Sequence, residues 1–484
     1  MTGIHHVFDG ESLTIAQVAA LAAGPARCDL SAEAWSRVKR GRAIVERAAA
    51  SGEAIYGATT GVGSQKDFTV RPERIAGFNR RMILAEATDL PGETFAAAVL
   101  RAALVVRINA MATGALGVSH DLVRRNLLLL AANDLPRVRA GASFGISDLG
   151  PLAQLSLPLV GDDPKIGGAL ALKEACSLIN NNSVALGHAA LVIEAARRLI
   201  EAFDLAAAIS LEGFGGNLAP YGDGGAGAVA HSGHAASRRA IGAALEGSTL
   251  WHGNRTRLLQ DPLSFRFAAP VNGAVREMLA LVARVVEAEI NTGVDNPVVD
   301  LDAERLRTGV AMDSTLLTLG FDGLRQALTR MAELSTERAN KLQWSQFSGL
   351  PVGLAAADGP EGGVQTLLLN HLAAARLGAM RALAGPVLLD YRGLLGDGIE
   401  DTGTLAPLAI GQTERALEIG WVLAGLEASI AVWAIARRGI PGSALGTAVH
   451  GVYEAVRPLL PIDAEGDAVF DAGAAIGAFR RTVV

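Results

Sequence analysis

The chain has 484 residues, of which half are hydrophobic and only 5% are aromatic, a composition typical of closely packed helices rich in alanine and leucine. The formal net charge is −6, with acidic and basic residues interspersed, so we predict neither a nucleic-acid nor a membrane partner. The two cysteines form no zinc motif or disulfide framework, and the first residues do not resemble a secretory signal. These features predict a cytoplasmic protein.

Two short patterns that could bind a ligand lack the surroundings that binding requires. His231 and His234 are three residues apart, but no acidic or cysteine residue is placed to complete a metal site with them. Residues 222–227 have the spacing G-x-G-x-x-G, but no apolar strand precedes them. We therefore predict no metal and no nucleotide cofactor.

Apolar residues recur every three or four positions along most of the chain and predict a mainly α fold. The predicted elements are a helical cap at 12–54, a glycine-containing loop at 54–63, helices within 74–133, an amphipathic run at about 173–203, and long helices at 273–290, 315–342, 363–383 and 408–438. Helices longer than the average of about 11 residues are expected to run side by side in a bundle. We predict a division into residues 1–205 and 206–484. The most apolar stretch, 420–440, contains Glu427, which favours a buried helix over a membrane span.

Six segments resemble, in the same order, motifs of the histidine and phenylalanine ammonia-lyases. They are 56–63 (YGATTGVG), 141–154 (GASFGISDLGPLAQ), 173–180 (KEACSLIN), 260–266 (QDPLSFR), 295–297 (DNP) and 399–401 (IED). The resemblance implies a mainly α, ammonia-lyase-like fold, with a long central helical bundle and a smaller N-terminal region that carries the active-site loops. It also implies a homotetramer in which different subunits contribute to each active site.

The segment 141–154 falls on the loop in which this family condenses an Ala-Ser-Gly tripeptide into the methylidene-imidazolone group, called MIO. The register of the resemblance places Gly145, Ile146 and Ser147 on that tripeptide. In the family the central serine loses its hydroxyl to form the methylidene, and Ile146 has no hydroxyl to lose. We therefore predict that MIO does not form and that the protein has no cofactor.

Other positions that lie beside MIO in the family have changed, whereas positions that handle the substrate are kept. Leu263 replaces a tyrosine, and residues 310–312 (VAM) stand where the family has N-F-H. The candidate catalytic residues are Tyr56 and Glu400, and the candidate substrate-binding residues are Thr60, Glu86, Asn180, Arg266 and Gln365. Because Glu86 falls where the histidine enzymes have a ring-contacting histidine, recognition of the substrate side chain is expected to differ.

The resemblance and the side-chain chemistry together suggest a role for each kept residue. Arg266 offers a planar fork that matches a carboxylate, and Asn180 is a second donor. Tyr56 is the predicted base for the β-proton; since a free tyrosine has a pKa of about 10, it needs nearby donors or cationic charge. Glu400 with Glu86 would hold the cationic or ring end of the substrate. Each residue could instead be structural, as part of an ion pair, a helix cap, a buried hydrogen bond or a solvated helix face.

The electrophile is predicted to be lost, whereas the substrate residues are kept. This combination predicts a substrate whose amine leaves without activation by an electrophile. A quaternary ammonium departs as a neutral amine and has no lone pair for an electrophile to capture. We predict β-elimination of trimethylamine from a small zwitterion, an aromatic amino-acid betaine such as trimethylhistidine or ergothioneine, the latter giving thiourocanate. This chemistry resembles that of the ergothionases, MIO-free relatives of the ammonia-lyases. Two alternatives stay open: a lyase or cyclase with another leaving group, and an inactive homologue that acts as a binding or structural protein.

Overall fold

The computed structural model describes residues 5–222, 231–252, 256–356, 363–390, 393, 395–463 and 469–483, so most of the G-x-G-x-x-G segment lies outside the described residues. The helices are α1 (Ile15–Ala22), α2 (Ala32–Ala50), α3 (Ile75–Glu86), α4 (Ala97–Ala112), α5 (His120–Leu130), α6 (Leu149–Ser156), α7 (Glu174–Ile179), α8 (Ser183–Phe214), α9 (Ser232–Ala244), α10 (Leu263–Arg266), α11 (Ala268–Ile290), α12 (Thr315–Leu342), α13 (Ser345–Ser348), α14 (Val364–Leu383), α15 (Ala406–Arg437), α16 (Thr447–Val456) and α17 (Ala472–Val483). The strands are β1 (His5–Phe8), β2 (Arg27–Leu30), β3 (Val298–Asp300) and β4 (Arg305–Arg307).

The prediction of a mainly α fold is confirmed, and the long helices lie close to their predicted bounds. Helix α12 coincides with the predicted range, and α14 and α15 differ from theirs by one or two residues at an end, whereas α11 starts at Ala268, before the predicted residue 273. The sequence did not predict the two small sheets. Strands β1 and β2 pair in parallel, and β3 and β4 form an antiparallel pair.

Side-chain caps set the starts of the first two helices. Thr14 accepts a hydrogen bond from the backbone N–H of Gln17, whose side chain in turn accepts from the N–H of Thr14. The hydroxyl of Ser31 accepts from the N–H of Ala34 at 3.1 Å. These caps satisfy backbone donors that have no partner inside the first helical turn, so the helices begin where the sequence provides a cap.

The predicted continuous amphipathic run at 173–203 is wrong, because the chain leaves the helix between α7 and α8. Asn180 has φ −91° and ψ 53°. Asn181 then accepts the backbone N–H of Ser183 at 3.1 Å, and the carboxylate of Asp148 accepts another backbone N–H in the first turn of α8 at 2.8 Å. Asparagine side chains compete with the helical backbone for hydrogen bonds, which explains a break that apolar periodicity does not reveal.

The chain divides into two compact units, each built from three segments. Unit 1 comprises Met1–Glu194, Val282–Phe321 and Pro386–Gly411, and unit 2 comprises Ala195–Leu281, Asp322–Gly385 and Gln412–Val484. The sequence-based division between residues 205 and 206 is a single cut, whereas unit 1 also takes in two later segments. Those two segments bring Asn296 and Glu400 into the unit that contains Tyr56 and Asn180.

Helix α15 carries the most apolar stretch and also a fully buried ion pair in unit 2. By length and composition it is the one described helix that could cross a membrane, but 83% of its most apolar window is buried inside the protein. The carboxylate of Glu427 accepts hydrogen bonds from Arg338 at 2.6 and 2.9 Å, and the hydroxyl of Ser210 donates to it at 2.7 Å. Full pairing makes a charge tolerable at this buried position.

Candidate active site

Unit 1 contains a cavity of about 730 Å³, within the range of about 300–1,000 Å³ that is common for small-molecule sites. It is formed by the tyrosine loop, the end of α3 with the residues after it, the loop before α6 with the start of α6, the end of α7, the segments that contain Asn296 and Met312, and the segment before α15. The residues that line it are Tyr56, Val62, Gly63, Ser64, Gln65, Met82, Ala85, Glu86, Thr88, Leu90, Ala142, Ser143, Phe144, Ile146, Ser147, Leu149, Gly150, Cys176, Ile179, Asn180, Asn296, Met312, Gly396, Ile399 and Glu400.

Tyr56 is held in a glycine-containing loop that packs against α7. The φ of Gly57 is +66°, and a Cβ there would lie 3.0 Å from the Sγ of Cys176, so both the backbone and the close approach favour glycine. The Oη of Tyr56 accepts a hydrogen bond from the backbone N–H of Gly63 at 2.9 Å. One loop amide is therefore placed to stabilise negative charge on the tyrosine oxygen.

The loop that precedes α6 is fixed by backbone contacts on two sides. The hydroxyl of Thr404 donates to the carbonyl of Gly145 at 2.7 Å, and the N–H of Leu405 donates to the carbonyl of the residue before Gly145 at 2.9 Å. Ile146 forms an isolated antiparallel bridge with Asp313. The backbone at 144–146 is thus held as an ordinary, hydrogen-bonded chain segment.

The residues at 145–147 do not fit the prosthetic group that the resemblance implies. MIO is built from a first residue that is alanine and a second that is serine, and Ile146 supplies only a hydrocarbon side chain. At Gly145, where φ is +88°, a Cβ would lie 2.8 and 2.9 Å from the backbone nitrogens of Leu405 and Ala406, which is closer than real Cβ atoms approach. The loop therefore has neither the hydroxyl for a methylidene nor room for the alanine methyl.

Asn180 lines the cavity with its amide hydrogen-bonded at both ends. Its Oδ1 accepts from the hydroxyl of Ser147 at 2.8 Å, and its Nδ2 donates to the carbonyl of Asn296 at 3.2 Å. The Sγ of Cys176 lies 4.0 Å from the same nitrogen. Burial raises the pKa of the Cys176 thiol to about 12, so this sulfur is protonated and neutral.

Glu86 and Glu400 are the only Asp, Glu, Lys, Arg or His residues among the lining residues that the structure describes. Glu86 is the last residue of α3, and the backbone of Glu400 pairs with that of Leu395. Burial raises the pKa of Glu86, and the negative charge of Glu400 raises it further. A cavity with two carboxylates and no basic lining residue has an electrostatic preference for a cation.

The pKa of Tyr56 lies above its usual value, and burial is the main cause. The charge of Glu400 and the Cys176 sulfur raise the pKa of Tyr56 further, while the hydrogen bond from Gly63 lowers it. In the cavity without substrate Tyr56 is therefore a neutral phenol at neutral pH. A cation bound beside it would oppose the effect of Glu400 and favour the phenolate.

Three of the predicted site residues do not line the cavity. Thr60 lies in unit 1, but its hydroxyl is within hydrogen-bonding distance of the backbone carbonyls of Ile55 and Gly61, at 3.4 and 3.2 Å. Arg266 and Gln365 are half-buried residues of unit 2, in α10 and in the first turn of α14. No metal-binding group of three or more His, Cys, Asp or Glu side chains comes together in the described part of the chain; the absence of a metal stays a prediction.

The structure also places at the site residues that were not predicted from the sequence. Asn296 belongs to one of the six segments, but nothing in the sequence assigned its carbonyl to Asn180. Ser143 places its hydroxyl 3.1 Å from the carboxylate of Asp148 and 3.2 Å from the carbonyl of Ser147. Thr404 follows the 399–401 segment by three residues, and that proximity is its only sequence signal.

Comparison with known proteins is in agreement with the observed fold. The histidine ammonia-lyase of Symbiobacterium thermophilum is 30% identical over 400 residues, which are 79% of this chain and 78% of that protein. The crystal structure of ergothionase from Treponema denticola, in complex with desmethyl-ergothioneine sulfonic acid, has a TM-score of 0.92 and 25% identity over 99% of this chain and 98% of that one. Tyrosine aminomutase from Streptomyces globisporus has the same fold, with a TM-score of 0.88 and 23% identity over 99% and 97% of the two chains.

The family model described as aromatic amino acid lyase matches residues 13–458, which is most of the chain. The match and the histidine ammonia-lyase relatives confirm the family resemblance that the six segments carried. The chain is a member of the aromatic amino acid lyase family.

Proposed function

We propose that the protein is a lyase that works without MIO and releases trimethylamine from an aromatic amino-acid betaine by β-elimination. The observation that carries this proposal is the cavity itself, in which two carboxylates and a tyrosine face a loop that does not fit MIO. Such a site suits a substrate that is cationic and whose leaving group needs no electrophile. Ergothioneine and trimethylhistidine are substrates of this kind.

The chemistry of the leaving group explains why the electrophile is dispensable. A primary ammonium departs poorly, and in the family MIO activates the substrate for its loss. A trimethylammonium group already leaves as a neutral amine when the bond between Cα and nitrogen breaks. The electron pair of the Cβ–H bond becomes the new Cα=Cβ bond, and the pair of the C–N bond leaves with trimethylamine. The ring conjugates with the forming alkene, which acidifies the β-proton.

Tyr56 is the proposed base that takes this β-proton. Its oxygen accepts the Gly63 N–H at 2.9 Å, so one donor already stabilises the phenolate. Substrate binding would stabilise the phenolate further, because the trimethylammonium charge would offset the charge of Glu400 and so lower the pKa of Tyr56. Under this proposal the trimethylammonium group of the bound substrate also favours ionisation of the base that removes the β-proton.

The carboxylate of the substrate is proposed to bind Asn180 and an Arg266 that a neighbouring subunit contributes. Arg266 is flanked by exposed apolar residues of unit 2: Leu259 is 86% exposed and Leu263 is 54% exposed. Helix α14 presents a further apolar row, in which Val364, Leu368 and Leu372 are exposed at four-residue intervals. Exposed apolar surface of this kind favours association of identical chains, and we propose a homotetramer with Gln365 near the carboxylate. A cytoplasmic location stays a prediction.

The likeness to ergothionase supports the betaine substrate, while the relatives named histidine ammonia-lyase make histidine the natural competing substrate. Incubation with ergothioneine, trimethylhistidine and histidine, while trimethylamine, ammonia and the near-ultraviolet band of a conjugated acrylate are followed, tests the choice. We expect trimethylamine from at least one betaine and no ammonia from histidine. Ammonia from histidine alone would refute the proposal, and no product from any of the three would favour a different leaving group or a binding protein.

Replacing Tyr56→Phe should lower kcat about 100- to 10,000-fold, because it removes the general base and leaves the cavity shape nearly unchanged. The measurement is the steady-state rate of trimethylamine release. Tyr453→Phe is the matched control, since it removes the same hydroxyl from a half-buried tyrosine of α16 that does not line the cavity. A Tyr56→Phe enzyme with wild-type kcat would assign the proton transfer to another group.

The pH dependence of kcat/KM should follow the ionisation of Tyr56 in the free enzyme. Because its pKa is raised, kcat/KM should rise with pH through the neutral range into the alkaline range. Glu400→Gln removes a negative charge that raises this pKa, so the rising limb should move to lower pH even if overall activity falls. Glu86→Gln, which removes the other cavity carboxylate, should leave the limb in place; an unmoved limb in Glu400→Gln would contradict the electrostatic coupling.

Co-expression of two inactive variants tests whether subunits share the site. When differently tagged Tyr56→Phe and Arg266→Gln chains assemble together, about a quarter of the sites should combine two intact residues and regain activity. Tyr56→Phe with Asn180→Ala is the control pair, because these residues line the same cavity of one chain and no mixed site can be intact. Recovery with the control pair, or none with the first pair, would show that the sites are not assembled in this way.

A further inference from the structure

The loop residue Ser147 and the cavity residue Asn180 are joined by a hydrogen bond that leaves little choice of direction. The carbonyl of Asn296 can only accept, so the amide atom of Asn180 that faces it at 3.2 Å must be the nitrogen. The amide oxygen then faces Ser147 at 2.8 Å and must receive the serine hydrogen. The two neighbours together define which end of the amide is the donor.

One hydrogen of the Asn180 nitrogen remains without a strong acceptor in the described residues. The first N–H is taken by Asn296, and the second has only the protonated sulfur of Cys176, at 4.0 Å. A thiol sulfur is a weak acceptor. Because Asn180 and Cys176 both line the cavity, a carboxylate oxygen bound there would be a far better partner for this N–H.

The backbone holds Ser147 in an unusual conformation that aims its hydroxyl at Asn180. Its φ is +59°, a left-handed value that glycine adopts freely and that is strained for other residues. The side chain is only 2% exposed. The hydroxyl of Ser143 lies 3.2 Å from its carbonyl, and the N–H of the following residue, Asp148, donates to Asn181 at 2.8 Å. A strained serine at a position suited to glycine is typical of a side chain kept for function.

We infer that Ser147 is a positioning residue, whose hydroxyl holds the Asn180 amide so that its second N–H, which has only the weak sulfur acceptor of Cys176, is available to the carboxylate of the substrate. This inference rests on the proposed function and adds to it a residue that determines carboxylate recognition. Ser147 acts through Asn180 and does not itself touch the substrate. Without the hydroxyl the amide oxygen loses its only donor in the described residues and can turn toward the cavity, where it would repel a carboxylate.

The test compares Ser147→Ala and Ser147→Gly with the wild-type enzyme, using ergothioneine as substrate. Each variant should raise KM about tenfold, as expected for one lost hydrogen bond of a binding residue, while kcat changes much less. Ser147→Gly should do so with an equal or higher midpoint of thermal unfolding, because glycine relieves the positive φ. A loss of affinity in a protein of undiminished stability separates positioning from a purely structural role.

Two comparisons decide whether the effect runs through Asn180 and the carboxylate. In an Asn180→Ala background, Ser147→Ala should raise KM no further. Calorimetry should show weaker binding of ergothioneine to Ser147→Ala and unchanged binding of its decarboxylated analogue. Wild-type affinity in both serine variants, equal losses for the two ligands, or full additivity with Asn180→Ala would overturn the inference.

Failure of the proposed function can be distinguished from failure of the proposed role of Ser147. If the wild-type enzyme releases no trimethylamine, the proposed reaction is wrong, whereas calorimetry with the two ligands needs no turnover and still measures the contribution of Ser147. If the wild-type enzyme turns over ergothioneine and the serine variants match it in KM, the reaction stands and the positioning role falls.

Discussion

The repulsion between two half-buried carboxylates, Glu86 and Glu400, is the interaction on which the candidate site depends. Burial and Glu400 raise the pKa of Glu86, and burial and Glu400 raise that of Tyr56, so the cavity without a ligand disfavours negative charge on both of these groups. The lining residues that the structure describes include no Lys, Arg or His. A cationic ligand bound in this cavity would favour the ionised forms of Glu86 and Tyr56. Under the proposed function, binding of the cationic substrate would therefore also activate the base.

The loop at 144–147 is kept in order by hydrogen bonds to several other parts of the chain. Thr404 and Leu405 hold its carbonyls, the Ile146 bridge to Asp313 holds one side, and Ser147 is tied to Asn180. The contacts that fix Gly145 are also those that leave no room for a methyl group there. Restoring the middle serine alone would thus leave the first position unsuited to MIO, and the change from the family pattern resides in the backbone packing as well as in the side chains.

The fold and many of the cavity residues could be predicted from the sequence, but for different physical reasons. Apolar periodicity identifies long helices because each buries one face along its whole length, which is why α12 matched its predicted range. Three of the six segments led to Tyr56, Asn180 and Glu400, and the family resemblance between the segments added Glu86; all four line one cavity although 344 positions separate Tyr56 from Glu400. Periodicity missed the break after α7, since the side chain of Asn181 bonds backbone groups on both sides of the break without changing the hydrophobic pattern. It also missed the pairing of Thr404 with Gly145, because a hydrogen bond across 259 positions leaves no local pattern.

Under the proposed function, the site would carry out elimination without the electrophile that its family uses. Elimination requires a base, a stable alkene and a leaving group, and only the last of these depends on MIO in the family. When the substrate brings a leaving group that departs as a neutral amine, the remaining demands are to attract a cation, orient a carboxylate and remove a proton. Glu400, Asn180 and Tyr56 are suited to these three tasks, and all three line a cavity formed within one unit of the chain. Under the proposed function, the one demand that this cavity does not meet, a positive partner for the substrate carboxylate, would fall to Arg266 of a neighbouring subunit, so assembly of several chains would become part of the chemistry.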